Sequence, residues 1–404
     1  MPVLIEKDAL IIGGGIAGLW MLNRLRAESY DVMLLEQNQL GAGQSVASQG
    51  MIHGGIKYAL AGNLNSASNA IADMPDHWNA CLAGKGDVDL RSANLLSDRY
   101  YMWPSNSLRS RFNAFLGSKA LRGKVSTVAK NAYPAFFQDN ISGPLYQLKD
   151  IVLDVPSLLK CLSDAHRDEI KCVNWNHCEI EKNAQGEISG INLRHEEEVY
   201  TIRAKRILVS SGEGSAELIR KLIPHDEIPD NMHMQLRPLQ MTLVKHQHPH
   251  PIYVHCVADQ LTATPEVTIT THPCRDGSVA WYLGGELAES GAQRSPEQQI
   301  QAAQAKLREL FPWCDLSKAQ WQSFFVNRAE ARTRDGKRPE TASVYQYKNI
   351  MLCWPSKLTL APVLGQQVLE LFQKQQLEPS VYAQPEANKL PFPGIAAAPW
   401  DLMS

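Results

Sequence analysis

The chain has 404 residues, 44% apolar and 20% charged, with 40 Lys and Arg against 42 Asp and Glu for a net charge of −2. That length supplies two or three domains' worth of core, and the composition excludes disordered, fibrous and coiled-coil classes. A dedicated nucleic-acid binder carries a basic excess that is missing here, so no nucleic-acid partner is expected.

Val3–Ile12 predicts a short buried strand, because Leu10, Ile11 and Ile12 are too apolar for an exposed one. Gly13-Gly14-Gly15-Ile16-Ala17-Gly18 follows at once, with glycines at 13, 15 and 18 in G-x-G-x-x-G spacing. In that motif Gly13 permits the tight turn, Gly15 lets backbone approach a pyrophosphate, and Gly18 lets helix and strand pack closely. Leu19, Leu22 and Leu25 continue as a helix whose N-terminus faces the phosphates. Val32–Leu35 is a second strand ending on Glu36, an acid placed to accept hydrogen bonds from a ribose. The unit points to a dinucleotide, and both NAD and FAD satisfy it.

Residues 41–58, GAGQSVASQGMIHGGIKY, are a long run of small and hydroxyl side chains. Such residues suit a backbone that runs against a flat ring and a phosphate. The run resembles the second flavin-contacting segment of the D-amino-acid oxidase superfamily, which includes glycine and sarcosine oxidases. Ser48, Gly50, Ile52, His53 and Gly55 are most similar to the glycerol-3-phosphate and L-2-hydroxyglutarate dehydrogenase branches. The resemblance implies FAD, contacted by Gln44, Ser45, Ser48, Gln49 and Gly50, with His53 near the ring as a polar contact or proton acceptor.

Asn65–Met74 predicts a helix stopped by Pro75. Residues 107–130 carry Arg109, Arg111, Lys119, Arg122, Lys124 and Lys130 and no acid, which makes a solvated face or an anion- or membrane-attracting patch. Lys149–Val155 then reads as a strand and Pro156–His166 as a helix, similar to the superfamily's return to its FAD domain. Two strands bracket Gln185-Gly186-Glu187, and Arg206–Ser211 is a strand running into Gly212, where the superfamily has a glycine turn near the cofactor. A short helix over Ala216–Leu222 follows.

From Met234 to Glu286 the pattern is strand-rich, over Gln240–Val244, Ile252–His255, Glu266–Thr270 and Val279–Leu283. His246, His248, His250 and His255 lie there among prolines without ligand spacing, so a polar loop is expected and not a metal site. Ser295, Pro296 and Glu297 open a helix to Phe311, in the order N-cap, N1 proline, first-turn acid. Arg332-Thr333-Arg334-Asp335-Gly336 resembles the superfamily segment whose arginine pairs with a substrate carboxylate. By that match Arg332 is the candidate and Arg334 its rival, arginine alone offering a planar fork. Asn349–Cys353 is a strand leading to a turn that is glycine-rich in the family. Here Pro355 and Ser356 replace the glycines, while Lys357, Leu358 and Thr359 remain as cofactor contacts, Lys357 placed to stabilise charge on reduced flavin.

Eight cysteines include no Cys-x-x-Cys pair, which argues against zinc and iron–sulfur sites. The uncharged run Ala9–Asn23 follows Glu6, Lys7 and Asp8 and is broken by three glycines, so neither a signal peptide nor a transmembrane segment is expected. Reduced thiols and a cytoplasmic location follow, with peripheral membrane contact as the alternative. The Pro-rich tail Leu390–Ser404 either packs along the body or meets a partner.

The resemblance implies an α/β fold: a Rossmann-like FAD-binding domain of discontinuous segments plus an α+β substrate domain with a mostly antiparallel sheet. The expected division is 1–80, 150–232 and 330–404 for FAD, with 81–149 and 233–329 for substrate. The expected reaction is oxidation of a small amino acid or amine, carrying an anionic group, by hydride transfer to flavin N5, with oxygen or a quinone as final acceptor. A dehydrogenase of a 2-hydroxy acid or glycerol phosphate is the alternative, and a flavoprotein of RNA modification the remote one.

Overall fold

In a computed structural model that describes residues 2–55, 71–104, 125–141, 143–257, 264–382 and 389–403, strand Val3–Ile12 lies mid-sheet with both faces covered. Ala9 and Ile11 join Val32 and Leu34 in one core, beneath helices Ile16–Ala27, Val155–Asp164 and Ala361–Lys374. Leu10 and Ile12 join Met33 and Leu35 in a second core, beneath helix Ser215–Leu222. Burial on both faces is why these strands are continuously apolar. The parallel part of this eight-stranded sheet runs Ile350–Trp354, Glu198–Val209, Val3–Ile12, Val32–Glu36, Ile170–Cys172. Antiparallel hairpins extend it through Cys178–Lys182, Ile188–His195 and Ser343–Tyr347. The chain reverses order beside Val3–Ile12, so the carboxyl ends of its strands open a crevice there, where doubly wound folds bind ligands.

The second eight-stranded sheet is ordered Gln320–Ala331, Met234–His246, Val279–Gly284, Val267–Pro273, Val254–Val257, Tyr100–Pro104, Tyr146–Leu148, Val125–Thr127. All its pairs are antiparallel except Val254–Val257 with Tyr100–Pro104. Helix Pro296–Leu310 begins with the expected Ser295 cap, completed into a capping box by Gln298. The tail lies along the body: Ile395 bridges Leu40, and buried Trp400 stacks on His272 at 3.9 Å. All eight cysteines are free thiols. Among the described residues, no helix is long and apolar enough to cross a membrane.

Two local expectations fail, the first being the polar loop: His246 ends strand Met234–His246 and His255 lies within strand Val254–Val257, both buried. In the second, the helical residues Ile71 and Ala72 break at Asp73, but Pro75 then lies in the first turn of a new helix Met74–Leu82, where its missing N–H has no partner to lose. Residues 65–70 of the expected helix, and most of the basic run 107–130, lie outside the described residues.

Helix Met74–Leu82 places His77 and Cys81 one turn apart, facing Asp87. His77 Nε2 lies 2.8 Å from Asp87 Oδ1, and Cys81 Sγ donates to the same oxygen at 3.4 Å. Asp87, then Cys81, holds the His77 imidazole up at about 10, so the trio is an imidazolium pair at neutral pH. Because its folded value is raised, His77 contributes stability fully below its unfolded value of about 6.5. That contribution fades as pH rises through about 10. Urea unfolding should therefore show stability falling from pH 7 to 10, and His77→Gln should flatten the decline; an unchanged slope would remove the pair from the account.

Candidate active site

Gly13 leaves the strand with φ +118, and a Cβ on it would lie 2.5 Å from the Ser210 carbonyl oxygen. A Cβ on Gly18 would lie 2.0 Å from the Gly13 oxygen, so only glycine lets helix Ile16–Ala27 close against the turn. The first turn of this helix contains no acid, and its N-cap Gly15 offers no side chain. The Ile16 N–H donates to Ser45 Oγ at 3.1 Å. Free first-turn amides with a hydroxyl beside them form an anion site. Glu36 closes this end, accepting from Gly14 N at 2.7 Å and Asn38 N at 2.8 Å.

Beyond Ser45 the loop turns toward the second sheet. Gln44 and Gln49, expected as cofactor contacts, have their amides engaged there. Gln44 Oε1 accepts from Ala329 N at 2.9 Å, and Gln49 Nε2 donates to the Tyr282 carbonyl at 2.8 Å. Tyr282 returns the connection by donating its hydroxyl to Ala47 O at 2.8 Å. Ser48 Oγ accepts from Gly50 N at 3.4 Å, and Gly50 O accepts from Leu153 N at 2.9 Å. Buried His53 follows strand Met51–Ile52, and its N–H donates to Thr359 Oγ1 at 3.3 Å. Thr359 O accepts from Trp78 Nε1 at 3.1 Å, which fixes the turn Leu358–Leu360. Ser356, in place of a family glycine, adopts left-handed φ +60 and donates its hydroxyl to Thr341 O at 3.0 Å. Gly212, φ +54, opens the turn after strand Glu198–Val209.

These segments enclose one continuous cavity of about 720 Å³. Gly13, Gly15, Glu36, Gln44, Ser45, Ser48, Gln49, Gly50, His53, Gly212, Lys357, Leu358 and Thr359 all line it; Gly18 lies behind the turn. Arg332 and Arg334 are not brought there. Strand Gln320–Ala331 ends one residue before Arg332, whose N–H bonds His233 O while the side chain is exposed, as is that of Arg334. The arginines on the cavity wall are Arg237, Arg328 and Arg338. Alternation explains this: Val326, Arg328 and Glu330 share one face of their strand, and Arg237, Leu239 and Met241 share the matching face of Met234–His246. The same alternation was readable in both segments, but 320–331 carried no strand expectation. Burial, then Arg338 and Arg237, pull the Arg328 guanidinium down to about 10, and it remains charged at neutral pH.

A family profile described as FAD dependent oxidoreductase (DAO) matches residues 8–371. The chain belongs to the DAO family of FAD-dependent oxidoreductases. It is 40% identical over 405 residues to the probable FAD-dependent oxidoreductase PA4991 of Pseudomonas aeruginosa, covering 100% of this chain and 99% of that one. The crystal structure of that protein superposes with a TM-score of 0.84 at 36% identity, over 100% of this chain and 99% of that one. Glycine oxidase from Geobacillus kaustophilus shares the fold at a TM-score of 0.63 and 15% identity, over 94% and 97% of the two chains. The FAD-bound L-alpha-glycerophosphate oxidase of Mycoplasma pneumoniae shares it at 0.62 and 14%, over 91% and 95%.

The DAO-family cofactor fits the residues present. The glycine turn leaves a cradle that a Cβ would fill, the helix N-terminus is free of acids, and Glu36 stands where a ribose acceptor is needed. Gln49→Ala should lower unfolding stability by about 0.5–1.5 kcal/mol, since it removes the side-chain hydrogen bond to the Tyr282 carbonyl. It should also speed FAD loss on dilution, followed by flavin fluorescence; unchanged stability and retention would show that the loop is held by other means.

Proposed function

We propose that FAD lies along this cavity and that the protein uses it to oxidise a small amino acid or amine bearing an acidic group. In this reading Glu36 receives the adenosine ribose. The first-turn amides after Gly15, with Ser45, receive the pyrophosphate. Backbone of Ser48–Gly50, with Gly212 and Lys357–Thr359, flanks the ring. Bound there, FAD supplies a two-electron acceptor for hydride leaving the substrate carbon.

The observation that carries the substrate reading is Arg328, charged and with a side chain only 15% exposed, on the cavity wall. A guanidinium there can clamp a carboxylate through two parallel hydrogen bonds and fix which C–H faces the cofactor. An amine arriving neutral needs no protein base: its nitrogen lone pair forms the C=N bond as hydride leaves, and water later hydrolyses the iminium. Lys357, beside the ring in this reading, would oppose the negative charge that reduction brings.

His53 favours a second reading. An alcohol must lose a proton as well as a hydride, and a buried imidazole on the cavity wall is placed to accept one. A 2-hydroxy acid or glycerol phosphate would then give a ketone, with electrons passed to oxygen or a quinone.

Mixing FAD-loaded protein anaerobically with acidic amino acids, amines and hydroxy acids separates these readings. Bleaching of oxidised flavin by amino acids or amines is expected. Bleaching by hydroxy acids alone would replace the first reading with the second, and bleaching by neither class would overturn both.

A further inference from the structure

Arg237 and Arg328 are direct partners across one rung of the antiparallel ladder between Met234–His246 and Gln320–Ala331. Like charges placed opposite each other destabilise a sheet, and burial enlarges that cost. Their side chains are only 25% and 15% exposed. Buried Glu330, 3.6 Å from Arg237, offsets only part of the cost of a second cation in this position, and the remainder points to a ligand.

The local ion pairs do not neutralise the rung. Glu330, 1% exposed, lies between Arg237 at 3.6 Å and Arg338 at 3.8 Å, too far for hydrogen bonds to either. Arg328 Nη2 donates to Glu289 at 3.3 Å. Arg237 Nη1, Arg328 Nε and Arg338 Nε are buried and make no hydrogen bond within the protein. The cavity wall carries these three guanidinia, Lys221 and Lys357 against Glu36, Glu213, Glu217 and Glu289, with buried Glu330 beside Arg237 and Arg338. Of these acids, Glu213 accepts from Asn327 Nδ2 at 2.9 Å, and both residues lie on the cavity wall.

The next rung is Leu239 opposite Val326, followed by Met241, all on the cavity wall. A ligand whose charges rest on the arginine rung would lay its uncharged carbon against these apolar side chains.

We infer that the substrate is a small dianion whose two negative charges are shared between Arg237 and Arg328, with Arg338 behind them. A dicarboxylate and a phosphate monoester both have this chemistry. One guanidinium suffices for one carboxylate, so the paired rung selects for the second charge. The inference rests on reading this end of the cavity as the substrate end.

The test titrates FAD-loaded protein, at constant ionic strength, with acetate, propionate, malonate, succinate and inorganic phosphate, following perturbation of the flavin absorbance. At least one dianion should bind about tenfold or more tighter than the monocarboxylates, the worth of one added charge-assisted contact. Tighter succinate or malonate identifies a dicarboxylate site, and tighter phosphate a phosphate ester site. Arg237→Met should remove the preference by weakening the dianions more than acetate, and Arg328→Met should weaken all the anions. Should Arg237→Met not retain FAD, Arg237→Lys should bind FAD and show a reduced preference.

Equal affinity for mono- and dianions, or an unchanged preference in the Arg237 variants, would overturn the inference. The titration needs no turnover. A dianion preference without bleaching by any amine or hydroxy acid would leave this inference standing and defeat the proposed reaction. Bleaching by amino acids without such a preference would do the reverse.

Discussion

The cavity exists because one loop is fastened to two sheets at once. Residues 41–50 leave the carboxyl edge of the parallel sheet and reach the second sheet through Gln44, Gln49 and the hydroxyl of Tyr282. Two of these bonds end on backbone of the buried residues Ala329 and Tyr282, where an unmade bond is costly. They hold the arginine ladder opposite the glycine turn, and the space between is what a cofactor and a substrate would share. Loosening this connection would leave both sheets folded and the site without a wall.

Charge acts locally here. A chain with net charge −2 has no overall field that draws anions. Attraction must come from groups placed inside the cavity, among them Arg237, Arg328, Arg338 and Lys357. Burial makes them effective, because a guanidinium partly removed from water interacts more strongly with an anion than one on the surface. It also makes them expensive, which is why Glu330 and Glu289 stand among them.

Local patterns were legible in the sequence where one short segment carries its own constraint. The strand to Ile12, the glycine spacing to Gly18 and the acid at Glu36 form such a segment, as do Ser295 and Pro296 at a helix start. The substrate wall was not legible in the same way. Arg237 and Arg328 are separated by ninety residues of intervening chain and meet only through strand register. The similarity of Arg332-Thr333-Arg334-Asp335-Gly336 to a family segment drew attention to residues just past the strand end, where side chains turn outward. Tyr100–Pro104, Val125–Thr127 and Tyr146–Leu148 are too short to announce themselves, and distant pairing alone makes them strands. Ser356 shows a different limit: its left-handed backbone is a glycine's conformation kept by another residue, with a hydroxyl bond to Thr341 beside it.

The account's central claim is spatial: cofactor against the glycine turn, substrate charge on the arginine rung. A crystal structure of the FAD-loaded protein soaked in malonate tests it most directly. The account predicts FAD pyrophosphate at the N-terminus of helix Ile16–Ala27 and malonate carboxylates on Arg237 and Arg328, facing the flavin ring. Malonate bound away from that rung, or a flavin ring at the opposite end of the cavity, would contradict it.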